Sequence, residues 1–428
     1  MNSELRKIPH GPAEKYNTAD DLLAWMEAQF KRYGDIFRAS AYGMDVYVVS
    51  DPEYVDHVLR VNWQNYTKGF AIKRIGFLLG NGLMVSEGEL WKSQRRMIQP
   101  AFHEEAVGTM IGTIRDANVE LLEKWTRAAR QKESVNITTD ISQMVLNTVL
   151  RSLFGEDYEA VAADFAILSD ESARNLQFAQ AFRPLGKRVV EVVAQRRSED
   201  RTGNDILGML MQARDRSSGQ PMPDRQLVSE IMTLIVAGHE TTASTLNWTW
   251  YLLAENPEAE QKLAREVEAL AGIVPDMRGL PQFEYTRRVI EETLRMYPAG
   301  WLMTRRALKD DQLGEYFVPA GVEVYISPYL LQRHPALWEA PDRFDPDRFD
   351  PARAQGRAPM TMIPFSAGPR KCVGELFARV EMQMHVAMIA KRLRLRSVGG
   401  QQVELEAGVN LRNKHDFMMT PELVDSAR

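Results

Sequence analysis

A single thiol stands in a segment whose composition suits a reactive thiolate. Residues 365–374 read Phe-Ser-Ala-Gly-Pro-Arg-Lys-Cys-Val-Gly, so Cys372 follows two cations and is bracketed by glycines. A helical pattern begins just after it, and the helix dipole, free backbone N–H groups and nearby cations all stabilise a thiolate there. Glycine also lets the backbone approach a flat ligand closely. A lone intracellular cysteine is usually a small buried hydrophobic residue. The adjacent glycines and cations instead favour a reactive thiolate.

An acid and an alcohol lie side by side in a long apolar helix. The pattern predicts one helix from Asp224 to Glu255, with Glu240 and Thr241 near its middle. Because burying an ionisable group is costly unless the group is paired or used, this pair is a candidate for moving a proton. Gly238 costs the helix about 1 kcal/mol against alanine, which a cofactor or substrate on that face would explain. One isolated histidine seldom holds a metal, so His239 is not assigned as a ligand.

Two further pairs are weak signals by themselves. Glu292 and Arg295 are three residues apart, a spacing typical of a solvated helix face. Trp91 and Arg95 are four apart and share one face, from which an indole and a guanidinium could reach the same anionic group. Without other evidence, each arginine is more often a surface cation.

Composition limits the classes of function. The chain has 428 residues, a formal net charge of -5 and one cysteine. This net negative charge gives no indication of a nucleic-acid-binding protein. One cysteine forms no internal disulfide and no zinc site with two thiolates, which predicts a reducing, cytoplasmic location. The N-terminal residues lack an apolar stretch, so neither a signal peptide nor a membrane anchor is expected.

The elements that must position these residues are mostly helices. Two strands are predicted at 33–38 and 46–50, and helical periodicity dominates from about 85 to 270. Asn256 and Pro257 are predicted as N-cap and first residue of a new helix. A turn and a strand follow at 316–327. The sequence therefore predicts one helix-dominated domain over residues 1–428 with a small β region.

Five positions of the thiol segment match a family motif. Phe365, Gly368, Arg370, Cys372 and Gly374 form Phe-x-x-Gly-x-Arg-x-Cys-x-Gly, which resembles the haem-binding loop of the cytochrome P-450 superfamily. The resemblance implies the triangular, mostly α haem-thiolate fold with a small β region. It also implies haem b (iron protoporphyrin IX) as the cofactor and this cysteine as the metal ligand.

Other segments resemble the same family in the same order. Glu292 and Arg295 match its Glu-x-x-Arg helix, and the segment from Trp338 to Phe349 resembles the one that supplies a third partner, Arg348. The resemblance implies that the three side chains form a structural triad. Their role would be to lock the loop that presents the cysteine.

The resemblance also implies contacts to the haem propionates. Trp91 and Arg95 match the Trp-x-x-x-Arg helix, and Arg370 is a further expected partner. Arg305 is the third by family position, although Arg306 beside it stays an alternative.

The implied reaction is the insertion of one oxygen atom from dioxygen into a bulky hydrophobic substrate, by hydroxylation or epoxidation. Thr241 would hydrogen-bond the dioxygen, and Glu240 would help to deliver protons. The spacing from Thr241 to Cys372 is typical of the longer-spaced branch of the family, here as a soluble bacterial-type enzyme. A peroxide-using enzyme or isomerase, and a haem sensor without turnover, are the alternatives. Neither needs the acid–alcohol pair.

Electrons would come from a separate ferredoxin or flavodoxin with its reductase. Lys92, Arg96 and Lys371 lie, by family position, on the cysteine side of the haem and are predicted to form a docking patch for an acidic partner.

The roof of the substrate site is predicted to be short. Between Glu156 and Arg183 the pattern gives one helix, about Phe165–Phe182, where the family usually has two. A wide entrance for a terpenoid, a polyketide or a long acyl chain is expected, unless Phe178 and Phe182 fill the space. Pocket-wall candidates by family position, each an equally good core residue, are Phe70, Ile72, Phe178, Ala237, Leu302, Met303, Phe417 and Met418.

Overall fold

The computed structural model describes residue 8 and residues 22–41, 43–169 and 176–424. The prediction of a mostly α fold with a small β region is confirmed. The α-helices are α1 Leu22–Tyr33, α2 Pro52–Asp56, α3 Phe70–Leu79, α4 Gly88–Ile98, α5 Glu104–Thr109, α6 Ile111–Gln131, α7 Ile137–Phe154, α8 Tyr158–Phe165, α9 Leu176–Ser198, α10 Ile206–Gln212, α11 Asp224–Glu255, α12 Pro257–Ala269, α13 Glu284–Met296, α14 Pro328–Leu331, α15 Pro351–Ala354 and α16 Glu375–Ala390.

Short strands and tight helical turns connect these helices. The strands are β1 Ile36–Ala41, β2 Met44–Val49, β3 Tyr66–Lys68, β4 Val135–Asn136, β5 Met303–Ala307, β6 Asp311–Leu313, β7 Tyr316–Val318, β8 Glu323–Ile326, β9 Leu393–Ser397, β10 Leu405–Ala407, β11 Leu411–Asn413 and β12 Met418–Leu423. Turns of 3-10 helix are Trp63–Asn65, Gln99–Phe102, Gly155–Asp157, Ala166–Ser169, Leu280–Gln282, Pro346–Phe349 and Gly368–Arg370, and His57–Val61 is a π-helical turn.

The chain divides into two compact units. The first comprises Met1–Arg74, Glu291–Cys372 and Leu405–Arg412, and the second comprises Ile75–Ile290, Val373–Glu404 and Asn413–Arg428. One haem domain over the whole chain therefore stays a prediction.

A five-stranded sheet organises the first unit, in the order β1-β2-β8-β5-β3. β2 and β8 run parallel, and the other neighbouring pairs are antiparallel. Val46 and Val48 pack into one hydrophobic cluster, while Tyr47 and Val49 pack into another. Because successive side chains of a strand point to opposite faces, this alternation buries both faces of the sheet.

Helices dominate the second unit. α11 packs against α7, α9 and α16, and α6 packs against α7. The buried residues of α6 recur every three or four positions, at Ile114, Ala117, Leu121, Trp125 and Ala128. This is the apolar stripe of an amphipathic helix. A sheet in the order β4-β12-β9 completes the unit.

The structure confirms the predicted helix Asp224–Glu255, with both of its ends. α12 begins at Pro257 as expected, but the Asn256 side chain does not cap it. Its Nδ2 donates instead to the Leu252 carbonyl at 2.8 Å. The amide therefore satisfies one of the free carbonyls at the end of α11.

The prediction of a single helix at Phe165–Phe182 is wrong. Phe165 is the last residue of α8, and α9 begins only at Leu176. Residues 170–175 lie outside the described residues, as do the side chains of Phe178 and Phe182. Ala166–Ser169 is a 3-10 turn, so hydrophobic periodicity alone missed a break in the α-helix.

Among the helices in the described part of the chain, none combines the length and the hydrophobicity needed to cross a lipid bilayer.

Candidate active site

The thiol loop of the first unit follows the course expected from its glycines. Gly368 has a φ of 68°, and a Cβ at this position would lie 2.0 Å from the Leu59 carbonyl oxygen. Glycine is therefore required here on two counts, its backbone conformation and the close approach. The Cys372 N–H donates to the Phe365 carbonyl at 2.9 Å, which closes the loop. Cys372 is exposed, and α16 begins three residues later, at Glu375.

Arg370 is fixed by backbone carbonyl groups. One terminal nitrogen donates to the carbonyl of Tyr66 at 2.7 Å and to that of Trp63 at 3.3 Å. The guanidinium carbon lies 5.1 Å from the centre of the Trp63 ring. These contacts to carbonyl groups and to an aromatic ring fix the position of the guanidinium.

The predicted triad is present in the structure. Arg295 donates to the two carboxylate oxygens of Glu292 at 2.7 and 2.8 Å, and Arg348 Nε donates to the same carboxylate at 3.1 Å. The Asp345 N–H adds a fourth bond at 3.0 Å. The Glu292 and Arg295 side chains are fully buried. A buried carboxylate paired this completely is expensive to disturb.

The triad fastens the irregular segment that precedes the thiol loop. Arg348 donates to the carbonyls of Glu339 and Ala340, and Ala340 has a φ of 42°. Arg357 donates to the Arg348 carbonyl at 2.7 Å and lies over the Trp338 ring at 4.4 Å. The segment has little regular structure, so these side chains fix its course.

The sequence analysis missed Gln332. This fully buried amide donates to the carbonyls of Leu294 and Arg295 and accepts from the N–H of Ile363 at 2.8 Å. It therefore ties α13 to the start of the thiol loop. A glutamine after the short helix α14 carries no pattern that would reveal this role.

Arg305 and Arg306, the two alternatives for the third propionate contact, differ in burial. Both lie on β5, but Arg305 is buried and Arg306 is exposed. Arg305 donates to the carbonyl of Thr304 at 3.0 Å. Neighbouring residues of a strand face opposite sides, so only Arg305 points into the interior of the protein.

In the second unit, α4 carries the predicted indole and guanidinium. Trp91 is buried, and Arg95 lies one turn farther along the same face. Arg95 Nε donates to Gln99 at 3.2 Å. Lys92 pairs with Glu89 at 2.7 Å, and the guanidinium of Arg96 lies 3.4 Å from Asp215.

Glu240 and Thr241 are half-buried in α11. The Thr241 hydroxyl donates to the carbonyl of Ala237 at 2.8 Å, one turn back. This is the usual resting bond of a helical threonine, and rotation about χ1 releases the hydroxyl.

Two neighbours of this pair have structural roles. A Cβ at Gly238 would lie 3.3 Å from Val149 of α7, so close packing of the two helices favours glycine at this position. The fully buried His239 donates from Nε2 to the Ser142 carbonyl at 3.1 Å. Burial lowers the pKa of His239 to about 4, against an opposing effect of the Ser142 backbone, so the ring is neutral at pH 7.

A second missed residue is Glu230 of α11. Its side chain is fully buried. The carboxylate accepts hydrogen bonds from the Leu83 N–H at 2.7 Å and from Gln226 Nε2 at 2.6 Å. Gln94 of α4 also donates to the Asn81 carbonyl at 2.9 Å. The loop before α4 is thereby attached to both helices.

Comparison with known proteins places the chain in a family. A family model described as Cytochrome P450 matches residues 10–185 and 164–423. The chain belongs to the cytochrome P450 family. As a cytochrome P450 it is a monooxygenase with haem b as its cofactor, and it acts on a hydrophobic substrate.

Several curated cytochrome P450 enzymes are similar over most of their length. Cyclooctatin synthase of Streptomyces melanosporofaciens is 33% identical over 401 residues, which cover 88% of this chain and 86% of that protein. Pentalenene oxygenase of Streptomyces avermitilis is 31% identical over 385 residues, covering 85% and 84%. The chloroplastic carotene epsilon-monooxygenase of Arabidopsis thaliana is 30% identical over 446 residues, covering 93% and 80%.

The residues present fit a cytochrome P450 haem. A haem brings four nitrogen ligands of its own, so one exposed soft donor from the protein, such as Cys372, suffices. The two propionates require cations. Within the first unit, Arg305 and Arg370 are held in place by the contacts described above.

Proposed function

We propose that Cys372 is the protein ligand of the haem iron in this monooxygenase. Bound haem supplies the activation of dioxygen and the transfer of one oxygen atom to the substrate, and a thiolate ligand favours O–O cleavage. The observation that carries the proposal is the exposed thiol in a loop closed by the Phe365 carbonyl and followed by helix α16. The helix dipole and the adjacent Arg370 and Lys371 stabilise the thiolate.

The arginines and one tryptophan are proposed to hold the haem propionates. Arg370, Arg305 and Arg95 supply the positive charge, and the indole of Trp91 supplies an N–H donor. Phe365, Gly368 and Gly374 shape the loop around the ligand. Because Arg305 is buried while Arg306 is exposed, the assignment falls on Arg305.

Glu240 and Thr241 are proposed to deliver protons during the reaction. The Thr241 hydroxyl leaves the carbonyl of Ala237, donates its proton towards the reacting oxygen and is reprotonated from the carboxyl group of Glu240. A half-buried carboxyl group one residue away provides the nearest acid on the same helix.

The substrate is proposed to be a terpenoid hydrocarbon or its alcohol. Relatives at 30–33% identity are named for cyclooctatin, cyclooctat-9-en-7-ol, pentalenene and carotene, all of isoprenoid origin. Such substrates offer C–H and C=C bonds but few polar groups. They would therefore be recognised by an apolar cavity and its shape.

Electron supply is proposed to come from an acidic ferredoxin or flavodoxin with its reductase. The Lys92 and Arg96 side chains are each about two-fifths exposed, at 43% and 42%, which leaves both available to a partner. Each has an acidic neighbour, so docking would exchange one ion pair for another. The single cysteine supports a reducing, cytoplasmic compartment as the place of action.

A direct experiment supplies the purified holoenzyme with a ferredoxin, its reductase, NADPH and isotopically labelled dioxygen. Pentalenene serves as the terpenoid probe, and a fatty acid with the same number of carbon atoms serves as the control. The proposal expects pentalenene to displace the iron-bound water and to gain one labelled oxygen atom. Turnover of the fatty acid without any turnover or binding of pentalenene would refute the terpenoid assignment.

A further inference from the structure

A short segment of the first unit, His57–Tyr66, packs directly against the thiol loop. Gly368 packs on the Leu59 carbonyl so closely that no Cβ could fit between them. Arg370 donates to the carbonyls of Trp63 and Tyr66 and lies over the Trp63 ring. The position of the loop, and of the guanidinium two residues before Cys372, thus depends on where this segment lies.

One carboxylate oxygen of Asp311 binds the same segment at three points. Oδ2 of Asp311 accepts from the Tyr66 hydroxyl at 2.6 Å and from Asn62 Nδ2 at 3.0 Å, and it lies 3.0 Å from His57 Nε2. The three donors come from the beginning, the middle and the end of the segment. A single side chain therefore fixes the segment along its whole length.

Backbone pairing at the end of the segment adds to this attachment, since Tyr66 pairs with Ala307 where β3 joins β5. The Asn65 side chain donates to the Lys309 carbonyl at 3.1 Å and accepts from the Lys309 N–H at 2.9 Å. The Leu308 N–H donates to the Asn65 carbonyl at 2.7 Å. These contacts hold the end of the segment, at Asn65 and Tyr66, whereas Asp311 also binds His57 and Asn62 earlier in the segment.

The electrostatics agree with an ionised Asp311. Burial alone would raise its pKa, but the hydrogen bonds from Tyr66, from the Gln312 backbone and from His57 lower it below the ordinary value. Burial and the same carboxylate raise the pKa of Tyr66, so the phenol keeps its proton and stays a donor. The side chain of Asp311 is only 11% exposed, so water does not readily replace a lost partner.

We propose that Asp311 is a positioning residue for the haem site, acting through the 57–66 segment on Arg370 and on the loop of Cys372. The inference rests on the proposed function, in which Arg370 binds a propionate and Cys372 binds the iron. Asp311 is far from both in the sequence and carries no family motif. Its effect on haem retention would pass through the carbonyls that Arg370 contacts.

The test compares Asp311→Asn with the control Asp45→Asn, which removes the same charge from an exposed pair with Arg38. Haem loss from each holoenzyme to apomyoglobin is timed, and the share of thiolate-ligated ferrous carbonyl complex is read from the Soret band. We expect Asp311→Asn to accelerate haem loss about tenfold, since the buried Tyr66 hydroxyl and two half-buried donors, His57 and Asn62, lose a charged acceptor. The control should stay within about twofold.

A double-mutant cycle separates positioning from general destabilisation. Arg370→Gln alone should accelerate haem loss, and adding Asp311→Asn to it should then have little further effect, since both act through one contact. Additive effects would overturn the proposal. Tyr66→Phe removes one of the three donors and keeps the backbone, so a smaller loss, about threefold, is expected even if Asp311→Asn folds poorly.

The outcomes distinguish this inference from the function on which it rests. If Arg370→Gln leaves haem loss unchanged, the proposed propionate contact is wrong, and the inference falls with it. If Arg370→Gln accelerates haem loss but Asp311→Asn and Tyr66→Phe do not, the function stands and the inference alone is overturned.

Discussion

Truncating Arg295 tests how strongly the buried triad supports the fold. In Arg295→Ala, Glu292 loses the two short hydrogen bonds at 2.7 and 2.8 Å. It keeps Arg348 Nε at 3.1 Å and the Asp345 N–H at 3.0 Å. The carboxylate remains fully buried, so it must either stay charged with fewer partners or take up a proton.

The expected loss of unfolding free energy in Arg295→Ala follows from the burial of the ion pair. Removing one partner of a buried ion pair costs about 3–5 kcal/mol, whereas an exposed pair is worth about 0–1 kcal/mol. Arg295 also donates to the Gln332 carbonyl at 2.9 Å and lies 5.2 Å from the Trp338 ring, and both contacts are lost. A loss at the upper end of this range is therefore expected. It is a large fraction of the roughly 5–15 kcal/mol by which folded proteins are stable.

The chain offers a matched control in Arg60→Ala. Arg60 makes the same two-bond contact to a carboxylate on its own helical segment, at 2.6 and 2.8 Å to Asp56. Its side chain is 61% exposed, so the control keeps the geometry of the ion pair but lacks the burial and the further contacts of Arg295. Urea unfolding followed by circular dichroism and by the Soret band gives the free energy of unfolding for each.

We expect little haem-loaded Arg295→Ala protein and a loss of several kcal/mol in what is recovered, whereas the control should lose no stability beyond the error of the measurement. Equal losses in the two variants would refute the reasoning, because burial would then have no effect on the worth of the pair.

Three further outcomes are expected. Thr241→Ala should bind haem and substrate normally but release more of its electrons as peroxide, measured as product formed per NADPH consumed, because a proton donor is lost. Charge reversal at Lys92 and Arg96 should slow reduction by an acidic ferredoxin about tenfold at low ionic strength and remove its salt dependence, measured by stopped flow. Burial raises the pKa of Glu381 to about 8 from 4.5, so its neutral form stabilises the fold at low pH and this stability is lost as the pH rises towards 8. Glu381→Gln should therefore remove a contribution that lowers the unfolding free energy by about 1.4 kcal/mol per pH unit between pH 5 and 8, measured as the difference between the pH profiles of parent and variant.

Local patterns in the sequence predicted the elements that carry the chemistry. The helix Asp224–Glu255 was predicted with its boundaries, because hydrophobic periodicity and a following proline are signals within one segment. The triad was also predicted, but through resemblance to a family. A glutamate three residues before an arginine does not by itself reveal that both are fully buried.

Long-range polar contacts could not be predicted in this way. Gln332, Glu230 and Asp311 each hold a loop that is distant in the chain, and none stands in a periodic pattern. The 3-10 turn Ala166–Ser169, which follows α8, was missed for a related reason. Periodicity gives the type of an element, but the side chains that end it or fasten it depend on the tertiary fold.

The central claim, that Cys372 binds the haem iron, is tested most directly by the ferrous carbonyl spectrum of the holoenzyme and of Cys372→His. The parent enzyme should show the red-shifted Soret band of thiolate ligation, and the variant should lose it completely while keeping its folded far-ultraviolet circular dichroism. A red-shifted band that persists in the variant would contradict the assignment, because no other cysteine exists in the chain to replace the ligand.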